Sequence, residues 1–263
     1  MSEKGTRLRT SRALAAYLPA ALSVVLGACL YITFSVGQWR SLTVPSWDLA
    51  IFTEAAKSYS HFSAPIVPVK GPGYNLLGDH FHPILVLLGL VYRFFPSGLT
   101  LLIVQDLLIA VSAWPLVRLA SKQAGWLLGT FVGIGYVTAW GFQGAVASQF
   151  HEGAFAVPLL AWASAAFVEG RWVAVMAWSA PLVLVKEDLG LTVMMIGIVL
   201  AWRGRESEKS FTYPLFFAVF GLLAFFVTVK VPPFRASPFD TVVESPKGKS
   251  SPLAHSNIEG SLA

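Results

Sequence analysis

The sequence predicts an all-α integral membrane protein with about seven transmembrane helices and one further helix lying against the outer membrane surface. Three observations predict it. Hydrophobic residues make up 55% of the 263-residue chain and charged residues only 13%, where a soluble domain carries roughly a quarter charged. The mean hydropathy is +0.64. The apolar residues are gathered into runs of membrane-crossing length, with the basic residues between them. So few polar side chains cannot cover a globular surface of this size, and the remaining solvent is lipid.

A crossing takes about 20 apolar residues for roughly 30 Å of hydrocarbon. Residues 1–13 form a basic N-terminus with Lys4, Arg7, Arg9 and Arg12, expected in the cytoplasm. The run 14–36 is too long for a signal-peptide core and reads as an anchor. A long outer loop, 37–82, follows. The run 83–95 is apolar but short, and it carries Arg93. Clear or adequate spans follow at 99–117, 126–147 and 211–231, with shorter ones at 154–168, 172–185 and 189–202. Pro115, Pro158 and Pro181 are expected to kink their helices. The helical domain thus covers 14–231. The tail, 232–263, is rich in Ser, Pro, Lys and Gly and is expected to be disordered. No internal repeat of fixed period is present.

The short run 83–95 decides the topology. If it crosses, Arg118 and Lys122 fall outside, as do Arg203, Arg205 and Lys209, against the positive-inside tendency. If it lies in the outer interface, all of these and Arg171 are cytoplasmic. The second arrangement is expected: seven spans, N-terminus inside, tail outside, multi-pass in the cytoplasmic membrane.

That topology collects the unusual polar residues on the outer side. The first loop holds Asp48 after Trp47, and ends in Gly78, Asp79, His80, Phe81, His82 and Pro83. The next outer turn holds Gln149, Phe150, His151 and Glu152, and the third Lys186, Glu187 and Asp188. Spans of 14 or 15 residues reach only roughly 21–23 Å, which sinks the last two clusters into a recess. Ionisable groups at such depth default to a functional reading. The alternative is ordinary loop ends, with Lys186 and Glu187 neutralising each other.

Asp48 precedes an amphipathic pattern at Leu49, Phe52, Ala56 and Tyr59. It reads either as a helix N-cap or as a general base near the bilayer. Asp79, His80, His82, His151 and Glu152 are of the types that ligate zinc or manganese, although no HExxH or comparable spacing joins them. A divalent metal is left open, and no organic cofactor is expected. Lys186 is suited to a phosphate as a point charge. Asp106, mid-span, is expected to be the buried partner of a neighbouring helix's polar group.

Several classes are excluded or disfavoured. The net charge of +5 does not point to nucleic acid, because no polar domain carries a basic face. The single cysteine, Cys29, rules out an internal disulfide and a cysteine-based zinc site. No phosphate-binding loop or dinucleotide fingerprint is present.

Trp47 to Phe52, Leu77 to Pro83, Phe150 to Glu152, and Lys186 to Leu191, in this order and spacing, resemble the bacterial membrane family catalogued as domain of unknown function 2079. The resemblance covers roughly residues 14–234 and is expected to fade after Phe234. Members usually run longer, so a C-terminally truncated member is expected. The family is similar in plan to the GT-C glycosyltransferases: a first span, a long outer loop opening with an acidic residue, a proline-led juxtamembrane helix, then a bundle. That likeness implies Asp48 as catalytic base and a polyprenyl-phosphate sugar as donor. Lys186, His80, His151, Asp79, Glu152, Glu187 and Asp188 would then bind substrate or phosphate. Two other functions compete. One is a non-catalytic or degenerate membrane scaffold. The other is a transporter or lipid-handling protein using Asp106 and Lys186, against which no inverted repeat is visible.

Overall fold

The structure, a computed structural model, describes residues 3–43, 47–205 and 208–230. Among them there is no β-strand, only an isolated antiparallel bridge between Ile66 and Asn75. Ten helices follow one another: α1 (Glu3–Arg40), α2 (Asp48–Ser60), α3 (Val86–Tyr92), α4 (Gly98–Ala124), α5 (Trp126–Val137), α6 (Trp140–Ala147), α7 (Ala156–Val168), α8 (Trp172–Ser179), α9 (Leu189–Arg203) and α10 (Glu208–Lys230). Short 3-10 turns lead into α3 and α7 and extend α8 to Leu184. Three helical stretches are long and apolar enough to cross a membrane: Tyr17–Arg40, Gly98–Ala124 and Phe211–Val229. The other runs expected to span fold as shorter helices or as broken pairs.

The breaks have local causes. The expected span 126–147 is two helices, parted at Thr138 and Ala139. The Tyr31 hydroxyl of α1 donates to the Val137 carbonyl at 2.6 Å, and Gln143 Nε2 donates to the Thr138 carbonyl at 2.7 Å. Side chains thus satisfy the carbonyls that the break frees, which an apolar setting demands. The prolines act differently from one another. α4 runs through Pro115 without interruption. Pro158 is the third residue of α7, in the first turn, where its missing N–H is not needed. Pro181 stands where α8 gives way to a 3-10 turn.

α1 also continues past the expected end at residue 36, to Arg40. Gln38 Nε2 donates to the Ala147 carbonyl at 3.0 Å, and Trp39 packs over Gly98 at the start of α4. These contacts hold the last turn, so the connection after α1 begins later than the sequence pattern suggested. The tail, 232–263, lies outside the described residues.

Small residues set the close approaches. A Cβ at Gly221 of α10 would lie 2.5 Å from the Met194 nitrogen of α9, and one at Gly197 of α9 would lie 2.5 Å from the Ala218 nitrogen of α10. α9 and α10 therefore touch backbone to backbone. Near the connection between α1 and α4 the core is larger: Leu49, Phe52 and Tyr59 of α2, Leu85, Leu88, Leu101, Phe150, Leu182 and Val185 form one buried cluster. This end of the bundle, the loop end, carries the candidate site. At the opposite end Lys122 and Arg171 flank Glu169 (3.2 and 2.7 Å), Arg118 lies over Tyr17 and Arg203 over Phe167.

Candidate functional site

The site is assembled by the aromatic core beneath it. Asp48 and Phe52 lie four residues apart in α2 and so share a face. Phe52 meets Phe150 edge-on at 5.3 Å between ring centres, a geometry worth about 0.5–1.5 kcal/mol beyond area burial. Phe150 is the neighbour of His151. The packing of two phenyl rings thereby brings Asp48 Oδ2 to 3.8 Å from His151 Nε2, with both side chains a little under half exposed. Trp47 takes the cap position and Asp48 is the first helical residue, where a carboxylate also favours the helix dipole.

Two further pairs join distant segments. Glu187, just before α9, accepts from His80 Nδ1 at 2.8 Å and from the Phe81 backbone N–H at 3.1 Å. Lys186 Nζ lies 3.2 Å from Glu152 Oε1. The alternative in which Lys186 and Glu187 neutralise each other is therefore not the pairing made: Lys186 takes Glu152 and Glu187 takes His80. Burial works against the charge on Lys186, but the carboxylates of Glu152, Asp188 and Glu187 outweigh it and raise the ammonium above its usual range. Burial likewise opposes ionisation of Glu187, and the bonds from His80 and Phe81 overcome it, holding the carboxyl below its ordinary value.

Asp79 turns elsewhere. It pairs with Lys70, whose ammonium also sits 5.0 Å from the centre of the Tyr74 ring. Burial of Asp79 is outweighed by Lys70, and its carboxyl is held low. Asp188 is exposed at the entry to α9. His82 is 2% exposed, edge-on to Phe52, with no hydrogen-bond partner for Nδ1. Burial pushes its imidazole below the usual range, against the attraction of Glu152. The imidazoles are thus divided among separate partners, and among the described residues no three His, Cys, Asp or Glu side chains are grouped to hold a metal ion.

Two glutamines that the site assignment from sequence passed over hold this arrangement. Gln105 of α4 is 2% exposed. Its Nε2 donates to the Gln149 carbonyl at 2.9 Å, and its Oε1 accepts from the His151 N–H at 2.9 Å. Gln149 has φ of 69°, a left-handed conformation rare outside glycine, and its Nε2 donates to the Thr43 carbonyl at 3.1 Å. An amide within an apolar run was the signal that could have singled out Gln105. Its neighbour Asp106 is fully buried with Ser35 of α1 nearby, and neither carboxylate oxygen makes a hydrogen bond.

Beside His151 a cavity of about 550 Å³ opens between α4, α6 and α7. Its walls are apolar, including Ile109, Trp140, Phe142 and Val157, with Gln105 and His151 as the polar groups.

The model of the family described as "Predicted membrane protein (DUF2079)", domain of unknown function 2079, matches residues 38–256. The chain belongs to this family. The matched stretch runs past Phe234, where the resemblance was expected to fade, and starts later than residue 14. No curated protein and no solved structure matches the chain.

Proposed function

We propose that this DUF2079 protein is a glycosyltransferase that takes its sugar from a polyprenyl-phosphate carrier at the outer face of the cytoplasmic membrane. The observation that carries the reading is the Asp48–His151 pair, whose His151 also lines the apolar cavity. A prenyl chain suits such walls, and a reacting headgroup would stand at the polar end. Asp48 would take the proton of an acceptor hydroxyl as its oxygen attacks the anomeric carbon. The carbon–oxygen bond to phosphate breaks on the opposite side, and the polyprenyl phosphate leaves. Lys186, fully charged beside Glu152, would accept the phosphate as a counter-ion in exchange for part of its pairing. His151 would orient Asp48, and His80 and Glu187 would fix the rim.

The proposed topology is seven spans with the N-terminus inside. Support comes from the gathering of Lys122, Arg171, Arg118 and Arg203 at the end opposite the polar clusters, as the positive-inside tendency asks. A plan like that of the GT-C glycosyltransferases is part of the same proposal. The test is Asp48→Asn in reconstituted membranes given a radiolabelled polyprenyl-phosphate hexose. Transfer is expected to fall at least about a hundredfold with the helical circular dichroism unchanged. Undiminished transfer refutes the assigned base.

A second reading rests on the pairings themselves. Lys186–Glu152 and His80–Glu187 are already satisfied, as they would be in a non-catalytic membrane scaffold whose loop end is latched shut. In that case no labelled product forms with the wild-type chain either.

A further inference from the structure

A second cavity, this one polar, lies at the C-terminal end of α2, away from Asp48 at its start, and takes no part in the chemistry above. It has a volume of about 420 Å³ and is lined by Lys57, Ser60, His61, Tyr92, Arg93 and Pro96. The cleft exists because α2 and α3 touch closely. A Cβ at Gly89 would lie 2.6 Å from the Cβ of Tyr59, so glycine lets the two helices meet. Their C-terminal turns then face each other, Lys57 to His61 on one side and Tyr92 and Arg93 on the other.

The charge of this cleft is one-sided. No carboxylate lines it, and neither Lys57 nor Arg93 has an ion-pair partner among the described residues. Arg93 donates one Nη1 bond to the Ser60 carbonyl at 3.3 Å and stacks over Phe62, leaving the rest of its guanidinium fork available. The Lys57 carbonyl holds His61 Nδ1 at 2.9 Å, which fixes the ring at the rim. A point charge beside a planar fork is the donor set that suits a phosphate oxyanion.

The surroundings say what carries the phosphate. Along α3 and just beyond it, Leu87, Leu90, Phe94 and Phe95 are 50%, 53%, 76% and 66% exposed, and Phe62 beside Arg93 is 82% exposed. A contiguous apolar strip of this kind marks a surface that meets something apolar, and here it borders unneutralised cations. The strip also sits where α1 ends and α4 begins, since Trp39 packs on Gly98, which is headgroup depth for a chain whose α1 and α4 can span. Basic residues next to exposed aromatic and aliphatic ones describe an interfacial element that binds anionic lipid.

We infer that the cleft between the C-terminal turns of α2 and α3 seats the phosphate headgroup of an anionic phospholipid, whose acyl chains lie along the exposed face of α3. The inference does not depend on glycosyl transfer. The lipid clamps the α2–α3 pair to the bilayer surface and so sets the height of Asp48, at the other end of α2.

The full chain, purified in uncharged detergent, would be titrated with dioleoyl phosphatidylglycerol, dioleoyl phosphatidylcholine and inorganic phosphate, with bound adducts read by native mass spectrometry. One phosphatidylglycerol should bind in preference to phosphatidylcholine. Its affinity should fall about tenfold in Lys57→Gln and further in Lys57→Gln/Arg93→Gln, the scale expected for losing a charge-assisted contact. Lys57 is exposed and unpaired, so Lys57→Gln leaves the fold intact. Arg118→Gln/Lys122→Gln, at the opposite end, should leave this adduct in place. Undiminished phosphatidylglycerol binding in both cleft variants overturns the site. Occupancy by inorganic phosphate that phosphatidylglycerol does not displace overturns the lipid as its source.

Discussion

Replacing Gly221 by alanine tests how the candidate site is carried. The added Cβ would lie 2.5 Å from the Met194 nitrogen, 2.7 Å from the Gly190 oxygen and 3.0 Å from the Val193 carbonyl carbon. All three are backbone atoms of α9 or its first turn, and none can swing aside as a side chain would. Ordinary contact begins near 3.4 Å, so α9 and α10 must part by about 0.9 Å. Overpacking of this kind costs about 1–3 kcal/mol, with the upper half expected for backbone against backbone. Alanine returns roughly 1 kcal/mol of helix propensity, leaving a net loss of about 1–2 kcal/mol. Equilibrium unfolding by circular dichroism in mixed micelles of dodecyl sulfate and an uncharged detergent reads this directly. Gly135→Ala is the control, since nothing lies within 4 Å of its added Cβ, and it should be neutral or slightly stabilising. Because Lys186 and Glu187 stand just before α9, the same shift should loosen Glu187 from His80. A Gly221→Ala protein as stable as the Gly135→Ala one would refute the claim that glycine sets this spacing.

Two further substitutions probe the site itself. Glu187→Gln removes the charge and one of the two carboxylate oxygens that accept from His80 and Phe81, weakening the tie between the α1–α4 connection and α9. With His80 about half exposed and Glu187 about a fifth, the charge-assisted range shrinks to a loss of about 1 kcal/mol after solvent screening. The Glu187 carboxyl is held below 4.5 in the folded chain. Its contribution is therefore complete above that pH and is lost as the pH falls through the lower folded value. The wild type should weaken on that acid limb, and Glu187→Gln should flatten it in pH-dependent melting curves; an unchanged limb would dismiss the latch. Gln105→Leu strands the Gln149 carbonyl and the His151 N–H, at roughly 1–3 kcal/mol for each buried group left unpaired. Amide hydrogen exchange should rise across residues 145–151, and unaltered exchange there would mean Gln105 does not position His151.

The legible and the illegible parts of this chain divide by the range of the interaction that decides them. Helix positions follow from local apolarity, so the runs expected at 99–117, 154–168 and 189–202, and the described residues of 211–231, each lie inside or beside a helix, and the amphipathic spacing of Leu49, Phe52, Ala56 and Tyr59 became the buried face of α2. The break at Thr138 was not legible, because the group that makes it tolerable is Tyr31, 106 residues before Val137. The four-residue difference at the end of α1, from 36 to Arg40, has the same origin, in Gln38 reaching Ala147.

The site repeats this pattern. That Asp48, His80, His151, Glu152, Lys186 and Glu187 gather at one end was legible from the alternation of apolar runs and polar connections. Who pairs with whom could not. Lys186 and Glu187 are adjacent in sequence, yet a turn before α9 points them to different partners, Glu152 and His80. Asp79, next to His80, is drawn off to Lys70 by the loop's own 3-10 turns. Partner choice in such a cluster is set by backbone direction at a few residues, and Gln149 shows the cost. A non-glycine residue is held left-handed so that the chain leaving α6 delivers Phe150 to Phe52 and His151 to Asp48. Strain kept by a buried glutamine network at the foot of the most exposed acid–imidazole pair is hard to explain as packing alone, since an apolar turn with glycine at 149 would close the same connection more cheaply. The arrangement makes sense if the position of His151 relative to Asp48 is what the network preserves.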